Sequence, residues 1–388
     1  MTQPRSIVPS FPESTATNQQ VLYALAEGTG GFPIFNTNDL LAGLEKIARE
    51  QNAYYLLGYA PATSPEGSCH TLKVKVERGG TAVRSRSGYC NLKPADLLAG
   101  QPIERSLEAR ATAAAPGNMG GTIEAPFFYT APNTARVNLA MDIPSKSVAF
   151  SKVKGKYHAD VNILGIAYRT DGSIGARFSD SVTLDLDKDE WKEFTKEPWF
   201  YQNQLAIAPG QYRFDVVVSC GDQDFGKFES PLAIDPYDGK RFTISAALMS
   251  SGLERVSDAG AELDSALLED RTPLMVKGLE VIPSGNNSFK KTDKAIVYAQ
   301  VYEPRMMDPK PPNVRIGYRI MDPKTGKQMF TSGGVDATDF VQKGNPVISI
   351  GLKVPIDDLR PGAYRIDVQA GESGGTTTPM RSVNFEIE

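Results

Sequence analysis

The run TLDLDKDE, residues 183–190, sets Asp185, Asp187 and Asp189 two residues apart, the spacing at which a calcium loop presents its first three side chains. Such a loop also needs a glycine at its sixth position to turn sharply. Glu190 stands there, and Trp191 follows at the seventh. The run is read as the solvated end of a strand. Histidine offers no better metal site, since His70 and His158 are the only two and neither has a carboxylate three or four residues further on. Gly-x-Ser-x-Gly, Cys-x-x-Cys, Gly-x-Gly-x-x-Gly and Walker motifs are absent from the 388 residues. The sequence therefore predicts no enzyme, no metal and no cofactor. One further cluster is WKEFTKEPWFYQNQL, with Trp191, Phe194, Trp199, Phe200 and Tyr201 close together. Exposed, these rings would form a platform for a polysaccharide or a protein partner; buried, they would cap the open end of a β-sandwich. Burial is favoured, because large aromatics are mostly inside.

Cys69 opens CHTLKVKVER and Cys90 closes TAVRSRSGYC, two alternating runs joined at Gly79-Gly80, a two-residue signal for a hairpin with a primed turn. If Arg78 pairs with Thr81, paired numbers sum to 159, and so do 69 and 90. The thiols would then meet at a non-hydrogen-bonded pair, where side chains approach most closely, and a Cys69–Cys90 disulfide is predicted. Disulfides track oxidising compartments, which argues for export. The N-terminal MTQPRSIVPSFPEST lacks the apolar core of a secretory signal and, read literally, argues for the cytoplasm. Cys220 is read as a small core residue. A net charge of −4 (42 Lys and Arg against 46 Asp and Glu) argues against a nucleic-acid partner. No stretch approaches ~18 consecutive apolar residues, so no transmembrane segment is expected.

The elements that must position these residues are of two kinds. Residues 1–91 read as α/β. TNQQVLYALAEGTGG is a helix with Leu22, Leu25 and Ala26 on one face, stopped by its glycines, and FPIFN is a short strand. NTNDLLAGLEKIAREQ starts at an Asn/Thr cap and turns Leu40, Leu41, Leu44, Ile47 and Ala48 toward a core. The apolar run Tyr54 to Tyr59 reads as a strand covered on both faces. The stretch ALAEGTGGFPIFNTNDLLAGLEKIAREQNAYYLLGYAP, with VKVERGGTAVRSRSGY, resembles the end of von Willebrand factor type A-related proteins common in acidobacteria, over residues 18 to 91. The resemblance implies a doubly wound sheet with an Asp-x-Ser-x-Ser metal-ion-dependent adhesion site. That motif is missing, and Asp171-Gly172-Ser173-Ile174-Gly175, the nearest to it, lacks the second hydroxyl. What is implied is a truncated type A remnant, its other strands in an N-terminal half outside this chain, with no metal function carried over. An open sheet edge is expected to leave it weakly stable.

Residues 92–120 read as a connector, with short helices in PADLLAG and PIERSLEARATA and a flexible AAAPGNMGG. Beyond it the chain is all-β and repeats: APGQYRFDVVV (208–218) and RPGAYRIDVQA (360–370) share Pro-Gly-x-Tyr-Arg-x-Asp-Val. This entry resembles the penultimate strand of fibronectin type III and other immunoglobulin-like sandwiches, which implies that Tyr212 and Tyr364 anchor corners. Inward Val137, Leu139, Met141 and Ile143, then Phe214, Val216 and Val218, predict a sandwich over 121–236. Val314, Ile316, Tyr318 and Ile320 against outward Arg315 and Arg319 begin a second over 273–388, after a connector at 237–272. The stretch from EAPFFYTAPNTARVNLAMDIP onward also resembles the region after the type A domain in the same proteins. The expected fold is multi-domain and mainly β: a partial α/β remnant followed by two immunoglobulin-like β-sandwiches, each closing its own core. The expected function is a non-enzymatic binding or scaffold protein of an exported bacterial type, engaging a protein partner in adhesion, periplasmic or extracellular as in the parent family. The alternative is a carbohydrate- or substrate-presenting accessory of a hydrolase system.

Overall fold

The structure, a computed structural model, describes residues 26, 30–32, 34, 40–51, 69–80, 83–86, 88–90, 98, 100–221, 224–255, 272–342 and 344–388. It is rich in β-structure and divides into two compact units, Met1–Ala95 and Asp96–Glu388.

In the first unit, α1 (Leu40–Gln51) forms where its spacing predicts. Its apolar stripe meets no core among the described residues: Leu41 is 68% exposed and Leu44 62%. β1 (Cys69–Thr71) and β2 (Gly88–Cys90) pair antiparallel with Cys69 opposite Cys90, the register that sums to 159. The ladder is shorter than expected, because residues 72–77 and 83–86 are not strand. Val74, Val76 and Val83 are exposed there, no layer among the described residues covers them, and an isolated two-stranded hairpin is marginal. The expected helix before Gly28 and the strands FPIFN and Tyr54–Tyr59 lie wholly or mostly outside the described residues.

The second unit opens with α2 (Pro102–Thr112) and holds two sandwiches. The first is built from β3 (Thr122–Glu124), β4 (Phe127–Ala131), β5 (Thr134–Ile143), β6 (Ser151–Val153), β7 (Lys156–Arg169) and β8 (Ile174–Leu186). After the short helix α3 (Lys188–Phe194) the strands continue as β9 (Trp199–Ile207), β10 (Gly210–Cys220) and β11 (Asp224–Ile234). β5 carries β3 and β4 on one edge and β9 on the other; the facing sheet runs β8–β7–β10–β11, with β6 beside the start of β7. Val137, Leu139, Met141 and Ile143 meet Val161, Ile163, Phe214, Val216 and Val218 between the sheets, all fully buried.

The described residues of the expected connector at 92–120, residue 98 and those from 100 on, are part of this unit. α2 begins on a proline whose missing N–H is no loss at a first helical turn. Its Leu107 and Ala111, with Leu98, cover Leu164, Ile166 and Val217 on the outer face of β7 and β10. Glu104 and Glu108 both pair with Arg177. Residues 116–119, read as flexible, are pinned along β11: the Asn118 and Met119 amides donate to the Phe225 carbonyl at 2.8 and 2.9 Å, and Lys227 N–H donates to the Pro116 carbonyl at 2.7 Å. Gly117 adopts φ 86° with that Phe225 carbonyl where a Cβ would stand, so only glycine fits.

The second sandwich starts earlier than the sequence suggests. β12 (Thr243–Ile244) and β13 (Leu248–Ser250) pair with β18 (Ile296–Tyr302), and Ile244, Ala247 and Met249 enter its core. Residues 243–250, inside the expected connector at 237–272, therefore belong to the sandwich; two short pieces broken at Ser245–Ala247 show no alternation long enough to read. β14 (Gly252–Arg255), β15 (Met275–Val276) and β16 (Leu279–Ile282) form a small sheet. β17 (Ser288–Phe289) leads into β18, β19 (Val314–Met321), β20 (Gln328–Thr331), β21 (Val335–Asp336), β22 (Val347–Lys353), β23 (Gly362–Glu372) and β24 (Arg381–Ile387). β22 pairs with β18; the facing sheet runs β17–β24–β23–β19, with β20 and β21 both on the far edge of β19.

The two cores are not separate, against the expectation that each sandwich closes its own. Tyr302 of β18 belongs to the first core, where its ring meets Tyr129 and Tyr237. Phe128 of β4 packs with Leu248, Val281 and Tyr298 of the second sandwich. The Tyr302 hydroxyl accepts the Tyr129 amide at 2.9 Å, and Arg381 pairs with Asp235 at 2.8 Å. The loop at 284–288 is laid on β3 and β5: Asn286 Nδ2 donates to Asp142 at 2.6 Å and Asn287 Nδ2 to Glu124 at 2.8 Å. Just before these contacts Gly285 rests on the backbone of Met141 and Asp142, with no room for a Cβ.

Candidate binding groove

β19 reads VRIGYRIM, and its pleat settles two roles at once. Val314, Ile316, Tyr318 and Ile320 are buried, whereas Arg315, Gly317 and Arg319 face outward. β23 alternates in register beside it, with Gly371 opposite Arg315, Gln369 opposite Gly317 and Asp367 opposite Arg319. On the other edge, β20 pairs with residues 319–321 and β21 with residues 315–316, so the chain between them crosses at Ser332–Gly334. Gly333 takes φ 64°, and its carbonyl occupies the place of a Gly317 Cβ; glycine is required for the approach. Segment 373–380 closes the opposite wall, where Gln369 Nε2 donates to the Thr378 carbonyl at 2.8 Å. The result is a groove of ≈ 720 Å³ running along β19 from Asn313 to Arg319. That is ample for a small ligand or a few residues of peptide, for which sites of about 300–1,000 Å³ are usual.

The acids of the groove are already engaged. Asp367 is buried; it accepts from Arg365 Nε at 2.8 Å and from Ser382 Oγ at 2.6 Å. Glu372 pairs with Arg305, which also holds Glu303. Asp336 accepts from the Thr338 hydroxyl and from Asn313 Nδ2; those donors, the hydroxyl first, push its carboxyl down to about 2. The two groove arginines are committed less. Arg315 donates to the Gly334 carbonyl at 2.5 Å, and Arg319 meets the Met380 sulfur at 3.3 Å; neither makes an ion pair among the described residues.

The residues singled out in the sequence lie elsewhere. Cys69 and Cys90 are cross-strand neighbours. The Tyr212 and Tyr364 hydroxyls each donate to a carbonyl four residues back, Ala208 and Arg360, at 2.9 Å. The aromatic run is divided by the pleat of β9. Tyr201 is buried, donates to Asp180 at 2.8 Å, and has its pKa pushed up by burial first. Trp199 and Phe194 pack against the core, Phe194 edge-on to Phe150. Trp191 stacks on Tyr157 at 4.4 Å, and Phe200 alone turns outward. The five rings form no single platform. In TLDLDKDE, Asp185 accepts from His158 Nδ1 at 2.8 Å, and that contact holds the imidazole pKa up. Asp187 instead caps α3, accepting the Asp189 and Glu190 amides while Glu190 returns to the Asp187 N–H. His70 stacks on Tyr89. The sequence pattern turns Arg315 and Arg319 outward and does not show the groove. The signal was a glycine between two outward arginines on one strand.

No known protein family and no curated protein matches the chain. Among solved structures, one described as a biofilm-associated protein, BSP domain, aligns at 9% identity with a TM-score of 0.20. The alignment covers 78% of this chain and 56% of that one, so this chain spans little more than half its length. A superposition this loose fixes neither fold nor function.

Proposed function

We propose that this chain is a non-enzymatic binding or scaffold protein of an exported bacterial type, and that the groove along β19 is its ligand site. The observation that carries the reading is how the groove's charges are engaged: each of its carboxylates already accepts from donors of the fold, while Arg315 and Arg319 present donors to whatever enters. A general acid needs a raised pKa, and Asp336 is held at the opposite extreme. The strand orders support immunoglobulin-like sandwiches of fibronectin type III kind, with a corner tyrosine in each. The resemblance of residues 18 to 91 to von Willebrand type A-related proteins, and the facing positions of Cys69 and Cys90, support an exported setting. To test this, the full chain and a Gln369→Trp variant, in which the indole would fill the groove, are screened against peptide and oligosaccharide arrays. Ligands that bind the first and not the second support the proposal. Binding that the indole leaves untouched removes the groove from it, and cleavage of a bound ligand removes the non-enzymatic reading.

A further inference from the structure

We infer that the groove receives an acidic peptide segment in extended conformation, with carboxylates four residues apart seated on Arg315 and Arg319. The inference rests on the binding reading above and names the ligand. Arg315 and Arg319 leave one face of one strand at positions i and i+4, which places their Cα atoms ~13 Å apart at about 3.3 Å per residue. An extended peptide lying along β19 has the same repeat, so its own i and i+4 side chains project from one face at that distance. A guanidinium binds a carboxylate in a planar fork, and these two have donors to give: Arg315 spends one on Gly334, and Arg319 meets only a thioether among the described residues. Between them the Gly333 carbonyl lies over Gly317, and Gly333 has open space where a Cβ would stand, so the surface a peptide backbone meets there carries no side chain of its own. The nearby carboxylates do not repel it strongly. Asp367 pairs with Arg365, Glu372 shares Arg305 with Glu303, and Asp336, which accepts three hydrogen bonds from Thr338 and Asn313, has Arg315 beside it.

The experiment uses the full chain and a fluorescein-labelled nonapeptide of threonine and serine with glutamates at its third and seventh positions, followed by anisotropy. Three comparisons accompany this diacidic peptide: its diamide form with glutamine in place of both glutamates, a peptide with the two glutamates adjacent, and an oligogalacturonate that offers carboxylates on sugar. Binding of the diacidic peptide should weaken at least about tenfold in the diamide form, in Arg319→Met and in Arg315→Met, and should fall with added salt. Arg319→Met removes charge from an exposed side chain, so an unchanged thermal transition certifies that the variant is folded. Equal binding of the diacidic and diamide peptides, of the spaced and adjacent glutamates, or by the wild type and Arg319→Met, overturns the inference. Tighter binding of oligogalacturonate, lost in Gln369→Trp, also overturns the peptide assignment but leaves the groove as a binding site. Failure of every probe here, together with array ligands indifferent to Gln369→Trp, sinks the binding reading itself.

Discussion

Burial beneath the 284–288 loop pushes the Glu124 carboxyl from an ordinary value near 4.5 up to about 7, and burial raises Asp142 beside it in the same direction. A carboxyl whose folded pKa is raised favours the folded state most when both states are protonated. That contribution is complete below about pH 4.5 and is lost as pH rises through 7. At roughly 1.4 kcal/mol per unit, the loss at Glu124 is on the order of 3 kcal/mol. Stability of the full chain, from urea unfolding between pH 5 and 8, should fall across that window. Glu124→Gln keeps an acceptor for Asn287 and should largely flatten the curve; an unchanged slope would place the titration elsewhere. Cys69 and Cys90 make a second expectation: non-reduced peptides from protein exported to an oxidising compartment should contain the two linked, a mass that reduction splits. Their register was legible in the sequence, because a hairpin's register follows from its turn alone. The burial of Glu124 was not, since the residues that cover it stand some 160 positions further on.

Elements were legible where their own residues decide them. The helix α2 was visible in PIERSLEARATA, but its docking was not; the hint lay in NILGIAY, where β7 is apolar on both faces and so needs a second layer outside the core. Leu107 is fully buried at that contact. Leu107→Ala should therefore cost about 2–5 kcal/mol, against less than about 0.5 kcal/mol for a change at exposed Arg105, read as the shift in urea midpoint. A small effect at Leu107 would mean the helix is an ornament on the sheet. The groove was half legible. Alternation along β19 gives outward Arg315 and Arg319, but its walls at Ser332–Gly334 and 373–380 come from irregular chain with no period to read. β12 and β13 were missed for the same reason, each being too short to alternate.

At the scale of the whole second unit, the aromatic contacts of Tyr302 with Tyr129 and Tyr237, and of Tyr298 with Phe128, join the two sandwiches, which are expected to unfold as one body. The slowest amides of β5 and β18 should accordingly exchange with the same opening free energy and respond equally to urea; two distinct values would show that the cores open separately. Within that body, Gly285 works as a spacer of zero length. The backbone it rests on belongs to β5, which is paired on both edges there and cannot retreat. A single methyl group at residue 285 must then lift the loop, and with it the cover over Glu124. Gly285→Ala should erase most of the pH dependence of stability while leaving every ionisable group in place, because a carboxyl returned to water recovers its ordinary pKa. The absence of one carbon atom thus tunes an acid that belongs to another sandwich.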